Sequence, residues 1–344
     1  SQKYGWSGDN IRFDWKPLRD SIQNEVNRLS GIYAEILDRN GATLFSERAE
    51  FVDPHTVRLT TSGKKVTAKN ILIAVGGRPW APDIKGFEHA ISSDEAFLLE
   101  ALPESILIIG GGYIACEFAG IFAGMGVKTV QAYRGDALLN GFDNDVREIA
   151  GTHQKMLGVE TRFQLIPTEI NKTQQGYNVS FQDGTKIQTD LVFMATGRKP
   201  HTTGLGLEHA EIKTDKNGAV IVDAYSRSSA EHIFAVGDVT NRVNLTPVAI
   251  REGMAFIQTL YGDIPEAYDH NDIASAVFSI PPIGVVGLTE AQARETHGDG
   301  INVYTTSFRP MKNVLAEKDQ RCFMKLITAG SEETVIGIHL VGDD

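Results

Sequence analysis

The chain has 344 residues, enough for two or three domains, and its 42% of hydrophobic residues can fill cores of that size. A formal net charge of −11 with no dense basic run repels nucleic acid and anionic membrane surfaces, and no uninterrupted apolar stretch is long enough to span a bilayer. Two cysteines far apart, Cys116 and Cys322, give neither a disulfide framework nor a Cys-x-x-Cys pair, no metal site is read, and the polar start lacks the order of a signal peptide, so a cytoplasmic location is expected.

Residues 11 to 38 place Leu18, Ile22, Val26, Leu29 and Ile36 at roughly helical spacing among charges, which predicts an amphipathic helix. From Ala42 to Leu59 the pattern is short strands, broken by Asp53-Pro54 and then Ser62-Gly63 as hairpins require. The apolar run Ile71-Leu72-Ile73-Ala74-Val75 predicts a buried strand that ends in Gly76-Gly77-Arg78-Pro79. A short crossover helix follows near 93 to 99, and Pro103 marks a boundary.

The apolar strand Ile106-Leu107-Ile108-Ile109 then runs into Gly110-Gly111-Gly112 and a helix over 113 to 124. Strand, glycine turn and helix start together predict a dinucleotide site. Gly110 permits the tight turn, Gly112 lets backbone approach a pyrophosphate, and Ala115 is small enough for the helix to pack on its strand. The diphosphate charge rests on free N–H groups of the first turn, where Tyr113 and Ile114 sit. The next strand, Val127 to Tyr133, closes on Arg134, where a reader of the ribose 2′-OH would be Asp or Glu. A guanidinium there favours a 2′-phosphate and hence NADPH.

A helix is predicted near 145 to 157, then a β-meander that includes Tyr177 to Phe181 and the Asp183-Gly184 turn. The strand Leu191 to Ala195 runs into Thr196-Gly197-Arg198, and Ile233 to Asp238 is another apolar strand, ending on an acid. Thr246-Pro247 opens a helix to about Tyr261, and strand-like alternation from Ile273 marks a separate β-rich unit. Gly204-Leu205-Gly206 looks like a phosphate loop but has no strand before it and is rejected.

In order, Ile71 to Pro79, Gly110 to Phe122, Arg134 to Asp143, Ala195 to Pro200, Ile233 to Asp238 and Leu245 to Gly253 resemble the motifs of the glutathione reductase branch of the FAD-dependent pyridine nucleotide-disulfide oxidoreductases. That resemblance covers essentially the whole chain. It implies an α/β fold with two Rossmann-like, three-layer ββα nucleotide-binding domains and a partial α+β dimerisation domain. The FAD-binding domain would occupy 1–103 and continue over 229–272, the NADPH-binding domain 104–228, and the interface domain 273–344. FAD and NADPH are the implied cofactors, glutathione disulfide the implied substrate, a homodimer the implied assembly, and thiol redox balance the role. A reductase of trypanothione- or mycothiol-type disulfides is the near alternative.

The resemblance also implies residue roles. Asp238 would accept a hydrogen bond from the FAD ribitol, with Gly76 in the neighbouring strand end. Thr246 and Pro247, read as N-cap and first helical residue, would aim a positive helix end at the flavin pyrimidine. Tyr113 resembles the ring that gates the nicotinamide pocket, and Glu117, one turn on, the carboxylate near flavin N5; these two are the catalytic assignments. Gly197 and Arg198 resemble the loop that contacts the cofactor on its nicotinamide side. Read without the resemblance, Tyr113 is a core aromatic, Glu117 a solvated helix charge, Arg198 a surface arginine, and Asp238 a cap.

Departures from the pattern carry expectations too. The family's Cys-x-x-x-x-Cys pair and first Gly-x-Gly-x-x-Gly would precede Ser1, and its His-Pro-Thr-x-x-Glu-Glu segment would follow Asp344. The sequence therefore reads as the middle of the enzyme, a nucleotide-binding module without turnover of its own. Asn140 stands where a second arginine usually grips the 2′-phosphate, a change of about 1 kcal/mol that weakens NADPH preference without removing it. Val75 replaces a threonine, and Met254 stands where some members carry an arginine for a glutathione carboxylate; the helix around Arg251, Glu252 and Met254 is expected to line the substrate groove.

Overall fold

A computed structural model describes residues 2–4 and 12–343. The long helix α1 spans Trp15–Arg39, and the expected start at residue 11 lies outside the described residues. It stops where Gly41 takes φ +73°, a left-handed conformation that a side chain would resist. None of its residues is buried, and Leu18, Val26, Leu29 and Ile36 are exposed. Helical spacing thus forms the helix without covering its apolar stripe.

Strands β1 (Ala49–Asp53), β2 (Thr56–Leu59) and β3 (Lys65–Thr67) form an antiparallel meander. No strand forms over 42–48. β4 (Ile71–Ile73) is shorter than its apolar run and pairs in parallel only with residues 233–235. Alternate side chains of a strand leave opposite faces. Ile73 is accordingly buried and Leu72 exposed, and Val75, beyond the end of the strand, is exposed as well, which corrects the expectation of a strand buried throughout. β5 (Gly77–Pro79) follows, then a one-turn helix α2 (Ser93–Ala96) started by a Ser92–Glu95 capping box.

The three-layer unit comes next. β6 (Ser105–Ile109), α3 (Tyr113–Gly124), β7 (Lys128–Ala132), α4 (Asn144–Met156) and β8 (Glu160–Arg162) are followed by β9 (Pro167–Thr173), β10 (Gly176–Phe181), β11 (Lys186–Thr189) and β12 (Leu191–Met194). The parallel sheet has the order β12-β6-β7-β8, and β9 to β11 form the antiparallel meander. Alternation on β6 builds both interfaces at once. Leu107 and Ile109 pack with Val179, Phe181 and Ile187 of the meander, whereas Ile106 and Ile108 pack with Phe118, Phe122 and Phe193 on the helix side.

β13 (Arg198–Pro200) pairs with β5, and β14 (Ile233–Ala235) with β4, before helix α5 (Thr246–Tyr261). The tail contains β15 (Ser275–Val277), β16 (Ile283–Gly287), α6 (Glu290–His297), β17 (Ile301–Phe308), α7 (Met311–Leu315), β18 (Cys322–Ala329) and β19 (Thr334–Val341). Its antiparallel sheet has the order β15-β16-β19-β18-β17.

Two compact units result, divided differently from the expected domain boundaries. One holds the residues up to Arg19 with Trp80–Gly197 and those from Asn271 on; the other holds Asp20–Pro79 and Arg198–His270. Residues 80–103 join the three-layer unit because Ala81, Ile84 and Ala90 pack on its core and the Ile170 N–H reaches the Lys85 carbonyl at 2.9 Å. Residues 198–228 join the other unit through Leu205, Leu207, Ile212 and Val220, which pack around Phe51 and Ile73. The tail packs against the three-layer unit. Its Val277, Ile283, Phe323 and Val341 share one core with Leu138, Leu139, Val146 and Ala150. Among the described residues no helix is long and apolar enough to cross a membrane.

Phe193 has no exposed surface and sits against Phe118 with ring centroids 4.8 Å apart. Phe193→Ala should lower unfolding free energy by about 3–5 kcal/mol in urea titrations, the usual loss for an aromatic ring in a closed core.

Candidate functional site

The end of β6 is shaped by one close approach. Gly110 has φ +148°, its N–H donates to the Ala132 carbonyl at 2.9 Å, and a Cβ on it would lie 2.2 Å from the Ala195 carbonyl oxygen. No other residue fits there. The Tyr133 ring lies flat on the next glycine, where a Cβ at Gly111 would fall 2.4 Å from the ring carbon Cγ. Gly112 differs from both: it is exposed, with φ −81°, and a Cβ would meet nothing within 4 Å. It is the N-cap of α3 and offers no side-chain partner to the first-turn N–H groups. Open space in front of uncapped helix N–H groups is what a pyrophosphate requires.

The segment from Arg134 to Asp143 is tied to the same turn. Leu139 donates its N–H to the Gly111 carbonyl at 2.7 Å, and Leu138 and Leu139 are each 1% exposed. Arg147 holds the carbonyls of Leu138 and Ala137 at 2.9 and 3.2 Å. Arg134 and Asn140 remain on the surface. The Arg134 guanidinium has no hydrogen bond or ion pair with any described residue, so its charge is available to a ligand. Since Ala132 bonds to Gly110, Arg134 lies at the strand end next to the turn.

Tyr113 is 40% exposed at the start of α3, Ile114 is half-buried behind it, and Glu117 follows one turn on. Glu117 Oε1 accepts the Phe278 N–H at 2.8 Å. Burial raises its carboxyl above the ordinary glutamate value, and that hydrogen bond only partly offsets the rise. Neither cysteine is a nucleophile. Burial pushes the Cys116 thiol up to about 12, and burial followed by the Asp343 carboxylate raises Cys322.

In the other unit, a cavity of about 310 Å³ is lined by Gly76, Val236, Asp238, Thr246 and Ala249. Gly76 has φ +68°, and its carbonyl accepts the His201 N–H at 3.0 Å. Asp238 is half-buried and faces Gly77, whose added Cβ would lie 3.4 Å from Asp238 Oδ2. The start of α5 corrects the capping assignment: Leu245 is the N-cap, Thr246 the first helical residue and Pro247 the second. Proline tolerates either first-turn position because no intrahelical acceptor awaits its missing N–H. Leu245 has no side-chain oxygen, so the Thr246 and Val248 N–H groups are left for a ligand.

Two further placements depart from expectation. Arg198 donates to the Gly77 carbonyl at 2.6 Å, which commits its guanidinium to joining β13 and β5. Gly197 has φ +142° and accepts the Trp80 N–H at 2.9 Å. Glu252 does not line a groove: it is 1% exposed and accepts hydrogen bonds from the Gly237 N–H, Arg242 and His270 at 2.6, 2.9 and 2.6 Å. It thereby fixes the backbone beside Asp238. Motif reading misses this role, although the spacing of Val248, Glu252, Ala255 and Phe256 on one helix face contains it. Arg251 and Met254 of that helix are exposed.

A larger cavity, about 570 Å³, lies at the opposite end of the parallel strands among Glu104, Lys128, Arg162 and Asp190. Open α/β sheets bind dinucleotides at the carboxyl ends of their strands, which makes the glycine turn, and not this cavity, the candidate site.

Comparison with known proteins agrees with this geometry. A family model described as pyridine nucleotide-disulphide oxidoreductase matches residues 5–253, and the dimerisation-domain model of that name matches residues 273–344. A glutathione reductase of Burkholderia cepacia is 42% identical over 341 residues, covering 99% of this chain and 75% of its own length. The chloroplastic/mitochondrial glutathione reductase of Pisum sativum is 44% identical over 346 residues, covering 100% of this chain but 62% of the relative. A trypanothione reductase of Leishmania donovani is 40% identical over 356 residues, covering 99% and 72%. Among solved structures, the HOCl-induced flavoprotein disulfide reductase RclA from Escherichia coli superposes with a TM-score of 0.89 at 25% identity, covering 97% of this chain and 77% of that one.

Two outcomes test the site. Gly112→Ala should leave the melting temperature within about 2 °C of the parent yet weaken dinucleotide binding in calorimetric titration, whereas Gly110→Ala should destabilise the fold itself. Glu117 has a raised folded-state pKa, so ionising it subtracts stability as pH rises above the ordinary glutamate value, and the loss is complete above the raised one. Glu117→Gln keeps an oxygen for the Phe278 N–H and removes that loss; it should raise the melting temperature near pH 7.5 but not near about pH 4.

Proposed function

The chain belongs to the pyridine nucleotide-disulphide oxidoreductase family, and on that premise we propose that it forms the coenzyme-binding and flavin-facing parts of an NADPH-dependent reductase of glutathione disulfide. Two of the relatives described above have that activity in their names. The observation that carries the reading is the unpaired Arg134 guanidinium at the strand end beside the Gly110–Gly112 turn. A 2′-phosphate would find a planar cation there, and Asn140 would add a neutral donor from the same segment. Without a second arginine, the preference for NADPH over NADH rests mainly on Arg134.

FAD and NADPH are the cofactors of this family. The residues present fit them: Gly112 and the uncapped start of α3 suit a pyrophosphate, while Asp238 and the free N–H groups of α5 suit a ribitol hydroxyl and the pyrimidine end of a flavin. When bound, FAD supplies the hydride acceptance and two-electron relay that disulfide reduction needs. The partial positive charge of the α5 start would favour negative charge on the reduced ring. Tyr113 is the residue proposed to cover the nicotinamide pocket, and Glu117 the carboxylate that orients a cation beside it. Arg198 is assigned to the strand junction rather than to coenzyme.

The thiolate that attacks the substrate must be one other than Cys116 or Cys322, because both are buried with raised pKa values. These 344 residues are therefore proposed to bind coenzyme without turning over disulfide on their own thiols. A homodimer is the proposed assembly, on the strength of the dimerisation-domain match over 273–344. Free buried thiols are what a reducing compartment preserves, and the cytoplasm is the location put forward.

Arg134→Glu removes a charge-assisted contact of about 1.5–3 kcal/mol, so NADPH should bind roughly 10- to 100-fold more weakly while NADH binding improves. Fluorescence titration of both coenzymes against parent and variant reads this directly. An unchanged NADPH-to-NADH ratio would falsify the assignment.

A further inference from the structure

Lys325 lies on β18 with a side chain only 2% exposed, and its Nζ meets three carboxylates: Asp143 at 2.9 Å, Asp145 at 2.7 Å and Glu290 at 2.8 Å. An ammonium taken this far from water is stable only when fully paired. Arg294 also pairs with Glu290, at 2.7 Å, and the negative charge that two cations leave over among three carboxylates is absorbed by two helix N-termini. Asp143 caps α4 by accepting the Asp145 N–H at 3.1 Å, and its other oxygen accepts the Glu290 N–H at 2.9 Å in the first turn of α6. Burial alone would lower the Lys325 pKa, but the three carboxylates outweigh it and raise it. Burial alone would likewise raise Asp143, but the Glu290 N–H, Lys325 and the Asp145 N–H hold it below its ordinary value. Both groups are therefore charged throughout the neutral range.

The position of this cluster gives it a consequence at the coenzyme. Asp143 ends the segment that starts at Arg134 and contains Asn140, and it is 2% exposed. Phe323, two residues before Lys325 on the same face of β18, packs in the core that holds Leu138 and Leu139. One strand of the tail thus holds that segment by an apolar contact at its middle and by an ion cluster at its end. Arg147 grips the middle through the Ala137 and Leu138 carbonyls and adds one backbone bond at the end, its N–H donating to the Asp143 carbonyl at 3.0 Å; the Asp143 side chain is left to Lys325 and α6.

Resting on the NADPH reading above, we propose that Lys325 is a positioning residue for coenzyme selection: by anchoring Asp143 to β18 and α6, it keeps the Arg134–Asp143 segment in the posture that presents Arg134 and Asn140 to the 2′-phosphate. Lys325 touches no coenzyme itself. Its loss should therefore blunt recognition of the 2′-phosphate while sparing the adenosine and 5′-phosphate contacts made by the glycine turn, which has its own contacts at Ala132 and Ala195 besides the Leu139 N–H that reaches the Gly111 carbonyl.

Calorimetric titration of the 344-residue chain with adenosine 2′,5′-bisphosphate and with 5′-AMP tests this, since the two ligands differ only in that phosphate. Lys325→Met should weaken the bisphosphate about tenfold and leave 5′-AMP unchanged. Equal losses for both ligands, or none for either, would overturn the proposal. Should Lys325→Met fail to fold by circular dichroism, Glu290→Gln removes one tail-side carboxylate and leaves the lysine paired with Asp143 and Asp145; about a threefold loss for the bisphosphate alone is then expected, and the same two contrary results apply. A parent chain that does not prefer the bisphosphate would sink the NADPH reading and this proposal together. A selective parent with equally selective variants would sink only the role of Lys325.

Discussion

Backbone contact between the end of β6 and the end of β12 is the constraint on which the coenzyme unit depends. At Gly110 the chain passes so near Ala195 that no side chain can intervene, and that closeness is what delivers the start of α3 to the carboxyl edge of the sheet. Once the helix start is there, its N-cap Gly112 offers the first-turn N–H groups no side-chain acceptor. Gly112 keeps the space before them clear, and Ala115, fully buried, lets the helix lie close on its strand.

Charge is handled in two opposite ways around this edge. Arg134 keeps its guanidinium exposed and without a partner among the described residues, so a phosphate can take it at little desolvation cost. Lys325 is buried among three carboxylates, so its charge is satisfied within the protein. The exposed cation is suited to recognition and the buried one to holding the segment that carries recognition. The flavin-facing unit repeats the division: Asp238 faces a cavity, whereas Glu252 spends its acceptor capacity on Gly237, Arg242 and His270 behind it.

The tail changes meaning once its packing is known. Alternation from Ile273 onward describes a sheet, and the family description for 273–344 is a dimerisation domain. Within the chain, the same sheet supplies Phe323 and Lys325 to the back of the coenzyme loop.

Sequence alone determined the parts whose cause is local. The glycine turn, α3 to the residue, the Arg134 position and the meander follow from periodicity, turn chemistry and an uncompensated charge within a few residues of one another, whereas the strand expected to run to Asp238 stops at Ala235 and leaves that acid in a one-turn 3-10 helix, Gly237–Thr240. What only tertiary structure decided is where side chains without a local signature point. Glu252 reads as a groove residue and is a buried anchor, Arg198 reads as a cofactor contact and binds the Gly77 carbonyl, and the cap of α5 falls one residue earlier than Thr246. The boundaries near 79 and 197 replace those at 103 and 228 because chain segments join the core that buries them, whatever the composition between them. Lys325 meets carboxylates 35 and about 180 residues away along the chain, and pairings of that reach depend on packing that no short window of sequence contains.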